Sequence, residues 1–119
     1  MPYSKNVIAE IVSLSAYESQ VSALLNEDER TAMEFYIACA PEAHPVVPGS
    51  GGFRKARWAR PGKGKSGGFR VVYFFLVAPG RIYMATIYAK SRKRTLSAAD
   101  RNVLRRLAAQ IKEAAKGGR

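Results

Sequence analysis

The stretch Phe69–Ala89 reads FRVVYFFLVAPGRIYMATIYA, and Pro79-Gly80 divides it into two apolar runs. Valine, isoleucine and aromatic residues favour extended backbone, so the runs predict two β-strands, over Phe69–Val77 and Ile82–Ala89. A Pro-Gly pair is typical of a tight turn. The stretch therefore predicts an antiparallel hairpin at the centre of the fold.

The other elements follow on both sides of this hairpin. Phe53–Ala59 predicts a strand that pairs with the first hairpin strand across the glycine-rich loop Pro61–Gly67. Val7–Leu14 predicts a further strand, and Ser15–Leu25 predicts a helix. The order β-α-α-β-β-β-α indicates a single α+β domain over residues 1–119, with helices packed on an antiparallel meander sheet.

Two of the helices have clear start signals. Asn26 is an N-cap with Glu29 in the capping-box position, and Pro41 ends the helix that follows. Ser97 is the N-cap of the last helix, with Asp100 in the same relation to it. The apolar stripe of that last helix comprises Val103, Leu104, Leu107, Ala108 and Ile111.

Strand pairing brings distant residues together at one end of the sheet. In the hairpin, paired residue numbers sum to about 158, which places Arg70 opposite Tyr88. Across the glycine-rich loop they sum to about 128, which brings Arg57 and Trp58 beside Arg70 and Val71. The residues expected to gather at this sheet end are Lys55, Arg57, Arg70, Tyr88 and Lys90.

Charge is distributed unevenly along the 119 residues, whose formal net charge is +11. Residues 1–42 contain two basic and seven acidic side chains, whereas residues 43–99 contain no carboxylate. The bases in that second region are Arg54, Lys55, Arg57, Arg60, Lys63, Lys65, Arg70, Arg81, Lys90, Arg92, Lys93 and Arg94. These charges repel one another without counter-charges, and nucleic acid is the commonest partner that relieves such repulsion.

The usual catalytic and metal-binding groups are missing from the basic region. His44 is the only histidine and lies in a proline-rich loop. A lone histidine has no partner nucleophile or metal set, so we expect it to be a solvated loop residue rather than a catalyst. Cys39 is the only cysteine, so no intrachain disulfide can form. We expect it to pack in the apolar part of its helix. We therefore expect no cofactor and no metal site. No apolar run is long enough to span a bilayer and no signal-peptide pattern opens the chain, so we expect a cytoplasmic protein without a membrane partner.

Several aromatic residues lie among these bases. The rings of Phe53, Phe69 and Tyr73 are typical of core packing, whereas Trp58 and Tyr88 are equally compatible with packing and with stacking on bases. The candidate RNA-binding residues are Arg54, Trp58, Arg60, Lys63, Lys65, Arg92, Lys93 and Arg94.

Three segments resemble the RelE/HigB toxins of bacterial type II toxin–antitoxin pairs, and the HigB branch most of all. They are Gly51–Arg57 (GGFRKAR), Gly62–Tyr73 (GKGKSGGFRVVY) and Ile87–Lys90 (IYAK). The resemblance implies a RelE-like fold and a metal-independent endoribonuclease that cuts messenger RNA on the ribosome, with a cognate antitoxin as partner. In such enzymes the RNA's own 2′-hydroxyl attacks the neighbouring phosphate.

The resemblance also implies that Arg70 is the central catalytic residue. The chemistry of the neighbouring side chains suggests the other roles, with Arg57 or Lys65 as the candidate to hold the leaving oxygen. Lys55 or Lys90 is the better candidate base, because arginine stays protonated at neutral pH. The C-terminal tyrosine or histidine of some relatives has no counterpart after residue 90, and Tyr88 is the candidate substitute.

Two functions of other classes are compatible with the same features. One is a gyrase inhibitor on the same fold, similar to ParE, although such proteins generally lack the Lys/Arg set. The other is a non-catalytic nucleic-acid-binding module, for which charge and aromatic rings suffice.

Overall fold

The computed structural model describes residues 9–59, 68–92 and 95–117. Its elements are β1 (Glu10–Ser13), α1 (Ser15–Leu24), α2 (Glu27–Cys39), β2 (Arg54–Trp58), β3 (Phe69–Leu76), β4 (Arg81–Ala89) and α3 (Ala98–Gly117). The predicted α+β class and the element order are confirmed. The loop Pro61–Gly67 lies outside the described residues.

The sheet is mixed, with the strand order β1-β4-β3-β2. Strands β2, β3 and β4 form the predicted antiparallel meander. Strand β1 pairs in parallel with β4, a partner that the meander prediction did not assign. Parallel pairing needs a long crossover, and the chain between β1 and β4 supplies one.

The predicted register is confirmed in only part of the sheet. Arg70 pairs with Tyr88 between β3 and β4, as expected, but a bulge between Val72 and Tyr73 lowers the sum of paired numbers from 158 to 157 in the half of the hairpin nearest the turn. Between β2 and β3, Arg57 pairs with Arg70 and Trp58 with Phe69, so paired numbers sum to 127 rather than 128. The correction changes which side chains share a face, because consecutive strand residues point to opposite sides.

Each face of the sheet covers its own apolar core. Under α1 and α2, the buried residues are Tyr17, Val21, Leu25, Met33, Ile37, Ala56, Phe69, Val71, Tyr73, Ile82, Met84 and Ile87. Under α3, they are Val47, Phe53, Val72, Phe74, Ala85, Leu96, Leu104, Ala108 and Ile111. Strand β3 contributes alternately to both cores, so it is apolar along nearly its whole length.

The predicted helix caps are confirmed in detail. Asn26 accepts a hydrogen bond from the Glu29 backbone N–H at 2.8 Å, and the Asn26 N–H donates to the Glu29 carboxylate at 3.0 Å. The Asp100 N–H donates to Ser97 Oγ at 3.0 Å.

Two packing predictions were wrong: Cys39, the last residue of α2, is exposed, and Val103 is 55% exposed.

One arginine joins the two N-terminal helices. Arg30 of α2 forms salt bridges with Glu18 of α1 at 2.8 Å and with Glu34 at 2.9 Å. The hydroxyl of the buried Tyr17 donates to the same Glu34 carboxylate at 2.6 Å. Burial and the neighbouring Glu34 raise the pKa of Tyr17, whereas the hydrogen bond from Arg30 lowers the pKa of Glu18.

The turn before β2 packs closely against α3. Gly51 has φ +79°, and a Cβ there would lie 2.9 Å from the Cβ of Ala108. Gly52 has φ +114°, and its Cβ would lie 3.1 Å from the Phe74 ring. Only glycine fits both demands, so the Gly-Gly pair of the GGFRKAR segment fixes where β2 begins relative to α3.

Candidate functional site

Three polar side chains form a row across the sheet, on the face that α3 covers farther along. Arg57 on β2 lies directly opposite Arg70 on β3, which lies directly opposite Tyr88 on β4. Adjacent strands are about 4.8 Å apart, so the three side chains are immediate neighbours. We call Arg57, Arg70 and Tyr88 the cross-strand row.

Arg70 stands where the apolar face of β3 ends. The next residues on that face, Val72 and Phe74, are buried under α3, whereas Arg70 is only half-buried. One guanidinium nitrogen of Arg70, Nη1, donates to the Phe69 carbonyl at 3.3 Å. Across the described parts of the chain, no carboxylate forms a salt bridge with Arg57 or Arg70. Two arginines are thus held side by side without a counter-charge between them.

Two lysines flank the cross-strand row. Lys55 precedes Arg57 by two residues on β2, so it shares the same face, and its side chain is half-buried. Lys90 follows β4 in an exposed turn, where its backbone N–H donates to the Gly68 carbonyl at 3.1 Å. Arg92 is exposed in the same turn. The predicted gathering of cations at this sheet end is therefore present.

Two of the predicted RNA-binding residues point to the opposite face. Arg54 Nη1 donates to the carbonyls of Glu42 at 3.1 Å and His44 at 2.7 Å, so it holds the loop after α2. Trp58 is half-buried against the core under α1 and α2, with its ring centre 6.5 Å from that of Phe69. The one-residue register shift puts Trp58 away from the row. An RNA contact for either residue stays a prediction.

The remaining predicted residues cannot be placed in the site. Arg60, Lys63, Lys65, Lys93 and Arg94 lie outside the described residues. Their assignment to RNA binding, and that of Lys65 to the leaving oxygen, stay predictions from the sequence. Within the ranges that the structure describes, no group of three His, Cys, Asp or Glu side chains is arranged to hold a metal ion. No described helix is long and apolar enough to cross a membrane.

A shallow depression beside the row contains two aromatic side chains, Tyr36 and His44, that were not predicted to belong to the site. The depression has a volume of about 340 Å³ and is lined by Tyr36, His44, Pro45, Lys55, Arg57 and Arg70. His44 is half-buried rather than solvated, and its ring lies 5.3 Å from that of Tyr36. Partial burial, and then the charge of Arg54, lower the pKa of His44. Tyr36 and His44 are far in sequence from Arg70, so periodicity alone gave no signal of this contact.

Comparison with known proteins agrees with the fold. The family model described as the RelE toxin of the RelE/RelB toxin–antitoxin system matches residues 49–117, which include β2, β3, β4 and α3. A solved structure of an E. coli RelE toxin, a double arginine-to-alanine variant in the free state, matches with a TM-score of 0.56 and 13% sequence identity. That match covers 83% of this chain and 98% of the E. coli chain. Identity at this level shows a shared fold alone. Because the family model spans more than half of the chain, this protein belongs to the RelE family of toxins from toxin–antitoxin systems.

Proposed function

We propose that the protein is an endoribonuclease that cleaves messenger RNA on the ribosome, without a metal ion. The observation that carries the proposal is the pairing of Arg57 directly opposite Arg70. Like charges opposite each other on neighbouring strands destabilise a sheet. A phosphate bound between them would remove that repulsion and accept hydrogen bonds from both guanidinium groups.

The proposed reaction uses the RNA's own nucleophile. The 2′-hydroxyl oxygen forms a bond to the adjacent phosphorus, and the bond from phosphorus to the 5′-oxygen of the next nucleotide breaks. One proton leaves the 2′-hydroxyl and one reaches the departing 5′-oxygen. The products are a 2′,3′-cyclic phosphate and a 5′-hydroxyl, so no water, metal or cofactor enters the balance.

The residues at the site divide these tasks. Arg70, at the centre of the row, stabilises the extra negative charge on the pentavalent phosphate, a contribution of about 3–4 kcal/mol for one well-placed donor. Arg57, its neighbour, holds the leaving oxygen. Lys55 or Lys90 accepts the proton from the 2′-hydroxyl, and Tyr88 at the far end of the row is the candidate donor.

The ends of the RNA product test this mechanism. Purified protein is mixed with ribosomes programmed with a defined messenger RNA, and the new 3′ ends are analysed chemically. We expect 2′,3′-cyclic phosphate or its hydrolysis product. Free 3′-hydroxyl ends would overturn the mechanism, because they require attack by water or hydroxide in a different geometry.

The HigB-like assignment and the antitoxin partner are tested in cells. We expect expression of the free protein to stop growth and an antitoxin encoded beside it to restore growth. We expect that antitoxin to cover the row or to block ribosome docking, with an acidic segment against the basic sheet end. Normal growth and translation without any antitoxin would contradict the proposal. Growth arrest without RNA cleavage, but with inhibited gyrase, would favour the ParE-like alternative.

A further inference from the structure

We propose that Tyr36 and His44 form a nucleobase-binding subsite, which holds a base next to the scissile phosphate. This inference rests on the ribonuclease function proposed above and deepens it, because it names residues that position the substrate. Tyr36 lies near the end of α2 and His44 lies in the loop that follows, so neither belongs to the strands that carry the cross-strand row.

The two rings form an open corner. Their centres are 5.3 Å apart and their planes are tilted by 56°, and the Tyr36 side chain is 46% exposed. A base that stacks on one ring therefore meets the other ring near its own edge. The rings are too close for a base to insert between them, so the geometry predicts stacking on one side only.

The loop that carries His44 is held in place from below. The buried Tyr73 donates its hydroxyl to the Pro41 carbonyl at 2.7 Å, and Arg54 donates to the His44 carbonyl, also at 2.7 Å. The Tyr73 ring additionally contacts the His44 ring edge-on, with 6.3 Å between centres. Burial raises the pKa of Tyr73 to about 12, so its hydroxyl stays a donor at neutral pH. A ring fixed in this way loses little conformational entropy when a ligand stacks on it.

The corner between the two rings opens into the depression that the basic residues of the site also line. Its other lining residues include Lys55, Arg57 and Arg70, and its volume of about 340 Å³ is within the usual range for a small-ligand site. A nucleotide combines an aromatic base with a phosphate, and this depression combines an exposed tyrosine ring and a half-buried histidine ring with arginines. Partial burial, and then the charge of Arg54, lower the pKa of His44 and so favour its neutral form, whose imidazole both donates and accepts hydrogen bonds at a base edge.

The test compares ring variants with a control on the same helix. Tyr36→Leu and His44→Ala remove one ring each, and Tyr36→Phe keeps the ring without its hydroxyl. The control is Phe35→Leu, because Phe35 is a neighbouring α2 aromatic, 59% exposed, that does not line the depression. Single-turnover cleavage is measured on programmed ribosomes, and melting curves confirm that each variant is folded.

Loss of one base–aromatic stack predicts a fall in rate of about tenfold, within about 5- to 150-fold. We expect this fall in Tyr36→Leu, a fall in the same range in His44→Ala, and wild-type rates in Tyr36→Phe and Phe35→Leu. A set of messages with an abasic nucleotide at each position around the cleavage site supplies the second readout. At one position, the abasic nucleotide should slow cleavage by the wild type as much as Tyr36→Leu does. The same abasic message should not slow the Tyr36→Leu variant any further, because the stack is already lost.

The outcomes distinguish failure of the nucleobase subsite from failure of the ribonuclease function. If the wild type cleaves but Tyr36→Leu and His44→Ala cleave equally fast, the subsite is overturned and the ribonuclease function stands. Additive losses from Tyr36→Leu and every abasic position also overturn the subsite, because they indicate a structural role. If the wild type does not cleave at all, the ribonuclease function fails and the subsite fails with it.

Discussion

Two arginines of this protein have opposite surroundings. Arg30 joins α1 and α2 with carboxylates on both sides, Glu18 at 2.8 Å and Glu34 at 2.9 Å. Arg70 has another arginine, Arg57, directly opposite it. No ion pair joins Arg70 to a carboxylate in residues 9–59, 68–92 or 95–117.

The comparison separates structural cations from cations available to a ligand. A guanidinium between two carboxylates already has its partners, so its removal should affect folding rather than activity. A guanidinium beside another cation raises the energy of the fold, and that energy falls when an anion binds. The predictions below test this difference, beginning with the largest expected effect.

Arg70→Ala should reduce single-turnover cleavage on programmed ribosomes at least about a hundredfold, because a donor to the developing phosphate charge is lost. The melting temperature should change little, since Arg70 sits at the edge of the apolar face. Arg81→Ala is the matched control, because Arg81 lies at the other end of the same hairpin and pairs with Glu10 at 3.1 Å. An active Arg70→Ala protein would move the chemistry elsewhere, first to Lys55 and Arg57.

Arg30→Ala should lower the free energy of unfolding by about 1–3 kcal/mol, because it leaves the half-buried Glu34 carboxylate without its cation. Denaturant unfolding measures this loss. Cleavage by the folded protein should stay at the wild-type rate. A large loss of activity at full stability would show that Arg30 takes part in the reaction, and it would contradict the distinction between structural and ligand-binding arginines.

Arg57→Ala should slow cleavage about tenfold, since a single hydrogen bond from a charged group to the leaving oxygen, about 1.5 kcal/mol, is lost while Arg70 keeps its own contact. Its melting temperature should equal or slightly exceed that of the wild type, because relief of like-charge repulsion between strands contributes about 0.2–1 kcal/mol. Differential scanning calorimetry at low salt measures the change. A clear drop in melting temperature would indicate that Arg57 has a stabilising partner.

Glu18→Gln should have the smallest effect, a decrease in melting temperature at neutral pH that disappears in acid. The hydrogen bond from Arg30 holds the pKa of Glu18 below its ordinary value of 4.5. The ion pair therefore stabilises the fold above about pH 4.5, and this contribution is lost as the pH falls through the lowered pKa. Melting temperatures of wild type and variant should differ at pH 7 and converge as the pH falls below the lowered pKa of Glu18. An equal difference at both values would mean that the Glu18 charge is not responsible.

The sequence by itself determined the order of elements and the ends of most helices. The apolar runs of β-branched and aromatic residues in β3 and β4 and the capping boxes at Asn26 and Ser97 are local signals, and local signals do not depend on distant partners. Charge is also a property of composition, so the carboxylate-free region 43–99, and with it the expectation of an anionic partner, needed no coordinates. The pairing of Arg70 with Tyr88 was predicted from the Pro79-Gly80 turn signal, but it also depends on the bulge between Val72 and Tyr73, which no local pattern indicated.

The tertiary structure decided what depends on long-range contacts. The sequence between β2 and β3 carries no short-turn signal that fixes register, and a shift of one residue placed Arg57 opposite Arg70 and Trp58 on the other face. Parallel pairing of β1 with β4 and the contact between Tyr36 and His44 likewise join segments that no local pattern relates. Catalytic geometry depends on such contacts, because a site needs side chains from several strands and loops within a few ångströms of one atom.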